Sequence, residues 1–203
     1  MSIEKIRKHL EEYSYLKSLQ SLLYWDMETM MPSGAIEDRA KRLSYVQGKL
    51  HEHITGKKYK NLLEDLKGQK LTALEKKLAR ELLYDYELQA VLPLKHVMEL
   101  SHATAIANHT WAEARKENDW KKFAPHLEKL IALKKTEAKF YKAKKPYDAL
   151  IKLHDREFTS DKIRVLFDEL REGLGKLKTK VEKDGSFVKV KDLLGPFDIQ
   201  TQK

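Results

Sequence analysis

Histidine and carboxylate are the side chains best able to hold a metal and move a proton, and this chain has 8 of the first and 31 of the second. A helical zinc hydrolase needs His at i and i+4, so that both imidazoles leave one face toward one ion, with a Glu between them as general base. No pair qualifies: four residues on from each histidine stand Tyr13, Thr55, Lys57, Leu100, Ile106, Glu113, Leu130 and Phe158. His51-Glu52-His53 has the residue types at the wrong spacing, because i and i+2 point to opposite sides of a helix. That trio reads as surface at a helix end. Glu99 and His102 share one helix face and resemble half of a di-iron carboxylate site, which needs a second Glu-x-x-His and two further glutamates. No second Glu-x-x-His occurs, and His109 lies about 10 Å farther along the axis. His102 and His109, with Glu99 beside them, are therefore expected to be no metal site but satisfied histidines on a half-buried face. With no cysteine, no Gly-x-Ser-x-Gly elbow and no phosphate-cradling glycine loop, the residues assign no catalytic, cofactor-binding or metal position.

The elements that would position these groups are helices. Ile3, Ile6, Leu10, Tyr13, Leu16, Leu19, Leu23, Met27 and Met30 step by three or four and mark one stripe of a long helix. Pro32 ends it, Ser33-Gly34 turns the corner, and Glu37 and Asp38 stand where the next helix's positive end favours carboxylates. A second helix with Ile36, Ala40, Leu43, Val46, Leu50 and Ile54 stops at Gly56. A helix at 59–66 follows, then one opened by a Thr72/Glu75 capping box and reaching Ala90. Further helices are expected from Pro93 to about Lys116, from Asn118-Asp119 to about Lys144 with Pro125 early in its course, over 146–155, and from Ser160 to a glycine stop. "SFVKVKD" alternates like a strand but has no partner. The fold class is all-α, a multi-helix array of long antiparallel helices, with an N-terminal hairpin over 1–55 and a helical body over 56–203. Trp25 is expected to pack under the hairpin corner, and Asp26 to bond nearby backbone or a basic side chain.

Composition narrows the partners. Charged residues make up 35% of the chain and apolar residues 41%, against about 25% and 45–50% in ordinary domains, so much of the chain is solvated helix face. The formal charge of +9 invites nucleic acid. Lysine is interleaved with acid along nearly every helix, as in "EKLIALKKTEAKFYKAKK", and no aromatic platform accompanies it, so nucleic acid is not expected as a partner. No run approaches the roughly 18 apolar residues of a membrane span. A cytoplasmic location is expected from that, from the absence of a signal-like start and from the lack of cysteine.

The stretch "LYWDMETMMPSGAIEDRA" (Leu23 to Ala40) resembles the N-terminal corner of the carboxypeptidase Taq family of thermostable zinc metallocarboxypeptidases, where Trp-Asp precedes Thr-Met-Met-Pro and a glycine. "WAEARKENDWKKFAPHLEKLIALKK" (Trp111 to Lys135), "PYDALIKLHD" (Pro146 to Asp155), "FTSDKIRVLFDELREGL" (Phe158 to Leu174) and the tail "LLGPFDIQTQK" resemble the same family in the same order. Gly34 stands one place late, offset by Ser33, and "LHDREF" departs from the acid-Pro-Gly turn common in relatives. The resemblance implies an all-helical protein with a cleft, often dimeric, that removes single residues from peptide C-termini with zinc held by His-Glu-x-x-His and a downstream Glu. None of those motifs falls on a position of this sequence. The expectation is the N-terminal portion of a helical zinc-peptidase fold, with 1–55 cap-like and the catalytic half missing. Such a chain would be inactive alone, carry no cofactor of its own, meet peptide only with the missing half and self-associate. The alternative is a non-catalytic helical scaffold or interaction module derived from the family.

Overall fold

The computed structural model describes residues 2–185; "SFVKVKD" and the tail "LLGPFDIQTQK" lie outside them. The helices are α1 (Ser2–Thr29), α2 (Ile36–Thr55), α3 (Lys57–Leu66), α4 (Ala73–Ala90), α5 (Leu94–Glu117), α6 (Trp120–Phe140), α7 (Pro146–Lys152) and α8 (Ser160–Asp184), and a single 3-10 turn, Ser33–Ala35, links α1 to α2. The described residues contain no strand. The all-α array read from periodicity is what forms, and no described helix is long and apolar enough to cross a membrane.

Helix ends follow local chemistry. Pro32 is extended at φ −59°, ψ 138° and cannot continue α1. Thr72 and Glu75 make both hydrogen bonds of the capping box that opens α4. Asp119 accepts from the Lys122 N–H at the start of α6, and Asn118 closes α5 in the left-handed region at φ 54°. Pro125 sits in the second turn of α6, where it removes one backbone bond. That helix ends at Phe140, four residues short of the expected Lys144, because Lys142 takes φ 49° and breaks the ladder.

The chain divides into two compact units, one through Leu150 and one from Ile151 on. In the first, two apolar clusters form the core. One gathers Ile6, Tyr59, Leu63 and Leu66 where α1 meets α3; the other gathers Met27, Ala40, Leu43 and Ala105 under the hairpin corner. Small residues at Ala40, Ser44 and Gly48, four apart on one face of α2, let α5 approach closely. Across that contact the Ser44 hydroxyl donates to the Met98 carbonyl at 2.8 Å, and a Cβ added at Gly48 would meet the Met98 side chain at 3.0 Å.

Candidate functional site

The α1–α2 hairpin is joined by polar pairs that straddle the corner at nearly equal distances along the chain. Near the corner the Arg39 guanidinium binds the Asp26 carboxylate and donates to the Leu23 carbonyl at 2.6 Å. Midway, the Gln20 amide donates to the Gln47 side chain at 2.7 Å. At the far end His9 Nε2 donates to the His53 carbonyl at 2.9 Å and His53 Nε2 donates to the His9 carbonyl at 2.8 Å, with the two rings stacked 3.8 Å apart. Asp26 thus finds the basic partner expected of it. Trp25 does not pack under the corner. It is 60% exposed, because Leu23, Tyr24 and Met27 occupy the inner face there and the next residue is turned about 100° away.

His9, Glu12 and His53 bring one potential ligand atom each within 4.8 Å of the others. Spacing along the sequence hides this trio, since His9 and His53 are 44 residues apart. The signal that would have found it is the hairpin register, which pairs positions at roughly similar distances either side of Pro32, together with the His-x-x-Glu pair on α1. Each Nε2 gives its proton to a carbonyl, so each Nδ1 keeps a lone pair in the neutral ring, and His9 Nδ1 is buried without a partner. Stacking works against an ion all the same. A metal must lie in the plane of each imidazole, yet between rings 3.8 Å apart and 10° from parallel it would sit half that separation out of both. That offset is nearly the whole of a Zn–N bond of about 2.0–2.1 Å. Burial instead holds the His9 pKa below its usual range, and the two rings clasp α1 to α2 through their carbonyl bonds.

The other candidate histidines also point at separate partners. His51 is buried and meets the Leu92 carbonyl at 3.0 Å, and His53 faces α1. Both lie at the end of α2 as expected, but neither is a surface residue there, because the segment at Leu92 covers His51 and α1 covers His53. On α5, His102 Nε2 lies 3.2 Å from Glu37, Glu99 is exposed, and His109 Nε2 lies 3.1 Å from the Ser33 hydroxyl and 3.3 Å from Glu113. His102 and His109 are the satisfied histidines expected there, and they tie the corner and the start of α2 to α5. Ser33, His109 and Glu113 have the residue types of a nucleophile triad but not its order. The Ser33 hydroxyl gives its proton to Glu113 at 2.8 Å, so His109 can only donate to it and cannot act as its base. Lys122 donates to Glu113 as well, and these hydrogen bonds bring the Glu113 pKa down to about 2. Between α5 and α6 a buried Glu137 lies 2.7 Å from Lys134 and 3.9 Å from His96 Nε2. Burial and that carboxylate raise the nearby Tyr141 to about 12.

No arrangement among the described residues fits the hydrolytic metal site of three ligands and an adjacent base. What they form is a set of cross-links between helices. The description "Carboxypeptidase Taq (M32) metallopeptidase" belongs to a family model that matches residues 5–203. The chain is 31% identical over 191 residues to thermostable carboxypeptidase 1 of Pyrococcus furiosus, covering 90% of this chain and 38% of that protein. It is 30% identical over 206 residues to thermostable carboxypeptidase 1 of Thermus thermophilus, covering 95% and 40%. A solved structure of a Pyrococcus furiosus carboxypeptidase superposes with a TM-score of 0.73 at 28% identity, over 91% of this chain and 38% of that one.

Proposed function

Because this chain belongs to the carboxypeptidase Taq (M32) metallopeptidase family, we propose that it supplies the N-terminal cap and cleft wall of a zinc metallocarboxypeptidase that trims residues from peptide C-termini. One observation carries the reading. The family match runs over nearly the whole chain, yet the chain spans only about two-fifths of the curated relatives it matches. Among the described residues no set suits a hydrolytic zinc ion, which supports placing the ligands and the general base in the part of the family fold that this chain does not cover. The role left to the present helices is mechanical. They hold a corner through Asp26–Arg39 and Ser33–Glu113, and they present the exposed Leu22 and Trp25 on the outer side of α1.

On this reading the isolated chain releases no C-terminal residue from a test peptide. Without a metal to acidify water and polarise the scissile carbonyl, the transition state lacks several kcal/mol of stabilisation. The test mixes the chain with a polypeptide comprising the remaining three-fifths of the Thermus thermophilus relative and follows chelator-sensitive release. Activity in the mixture, absent from either part, is the expected result. Chelator-sensitive activity from this chain alone would refute the proposal. A stable complex without activity would favour the scaffold reading.

A further inference from the structure

α8 carries an apolar seam of coiled-coil period. Ile163, Phe167, Leu170, Leu174, Leu177 and Val181 follow one another at steps of four, three, four, three and four. That is the 3.5-residue repeat that keeps one stripe facing a single partner helix over about 27 Å. From Phe167 to Val181 the seam stands in water: Leu170 is 52% exposed and Leu177 57%. Such a continuous exposed apolar face marks an interaction surface.

The residues beside the seam say what fits it. With Phe167, Leu174 and Val181 at one core position and Ile163, Leu170 and Leu177 at the other, one flank carries Arg164, Arg171 and Lys178 and the other Leu166, Gly173 and Lys180. No carboxylate occupies either flank. Of the acids of α8, Asp161, Asp168, Glu169, Glu172 and Glu182 lie on the outer side, and Asp184 is the next step of the seam after Val181, closing it with a polar residue. Two of them pair with flank cations, Asp168 with Arg171 at 2.9 Å and Glu182 with Lys178 at 3.8 Å, but these are exposed pairs of little energy that leave the cations open to a partner. A second copy of α8 is a poor occupant. Set antiparallel, it opposes the Arg164–Arg171–Lys178 row to itself; set parallel, it offers those cations no acid. An anionic lipid surface is also a poor match, because it wants bases alone across the polar face, where α8 interleaves Lys162, Lys176 and Lys183 with its acids.

We propose that α8 docks a helix lying outside these 203 residues, one with a heptad apolar seam flanked by glutamate or aspartate. The inference stands on α8 alone and survives failure of the peptidase reading. The test uses the full chain and two labelled synthetic 21-residue helices with leucine at both core positions, one with glutamate and one with lysine at the flanks. The glutamate helix is expected to bind at least tenfold tighter in 50 mM salt, with the gap closing as salt screens the flanks. Leu170→Asp with Leu174→Asp should abolish binding and leave the melting profile unchanged, since both side chains are exposed. Arg164→Glu with Arg171→Glu and Lys178→Glu should reverse the preference between the two helices. Several results would overturn the proposal: equal or tighter binding of the lysine helix, or glutamate-helix binding that survives the Leu170/Leu174 change. Self-association at 50 mM salt that the Leu170/Leu174 change removes would assign the seam to a second copy. Binding to phosphatidylserine vesicles without binding to the glutamate helix would assign it to a membrane.

Discussion

Trp25 and Leu43 show how far residue type and residue role separate. A tryptophan beside a sharp corner reads as an anchor, yet its ring is largely in water, while the aliphatic Leu43 on the facing helix is fully buried. Trp25→Ala is therefore expected to change stability by no more than about 0.5 kcal/mol, as at other surface sites. Leu43→Ala should cost about 2–5 kcal/mol by leaving a cavity. Thermal unfolding of the two variants side by side checks the order, and a larger loss for Trp25→Ala would reverse it. Histidine gives a second residue-scale prediction. His9 is faced by Glu12 from α1, His53 from α2, and Lys58 and Tyr59 from α3. Its pKa and that of the buried His51 are both lowered, chiefly by desolvation. The unfolded chain therefore binds more protons than the folded one between the folded pKa values and about 6.5, and stability rises with pH there. The contribution is fully present above about pH 6.5 and is lost as pH falls through the folded values. The melting temperature should fall between pH 7.5 and pH 5, and His9→Gln should flatten that slope; a slope unchanged by the variant would show that His9 is not its source. The clasp itself was out of reach of a residue-by-residue reading, because its meaning comes from a partner 44 positions away.

At the scale of the element, what was legible in the sequence is what local chemistry decides. Pro32 by its ring, and Gly56, the Thr72/Glu75 box and Asp119 through bonds within four residues, set their helix ends, and the structure has ends at all of them. Which side of a helix is buried depends on its neighbour and was only partly legible. The apolar stripe read for the first helix includes Leu19 and Met30, which are exposed, while His9 and Gln20 take buried places because α2 offers them polar partners. The small-residue face of α2 was missed for the same reason, as glycine and serine give no hydrophobic signal. Its consequence can be measured. Thr72→Ala removes one cap bond at an exposed helix start and should cost about 1 kcal/mol. Gly48→Leu must push a branched side chain into Met98, already 3.0 Å from where its first carbon would go, and should cost about 1–3 kcal/mol or more by overpacking. Equal chemical-denaturation midpoints for the wild type and Gly48→Leu would mean that α2 and α5 are not packed this closely.

At the scale of the molecule, the distribution of burial divides the chain more sharply than its composition does. Among the described residues every buried apolar side chain lies at or before Ala149, and no described residue after it is buried. Since stability comes mainly from apolar area removed from water, residues 2–150 hold the described core within themselves. A helix as polar and exposed as α8, laced by surface pairs such as Lys176–Glu172, adds local order but little global stability. A chain ending at Leu150 is therefore expected to keep the main calorimetric transition to within the ~2–4 °C that about 1 kcal/mol moves a protein of this size, while losing the helical signal of α8. It should also lose all binding to the glutamate-flanked helix. A main transition lowered well beyond that margin, or lost altogether, would mean that residues after 150 complete the core.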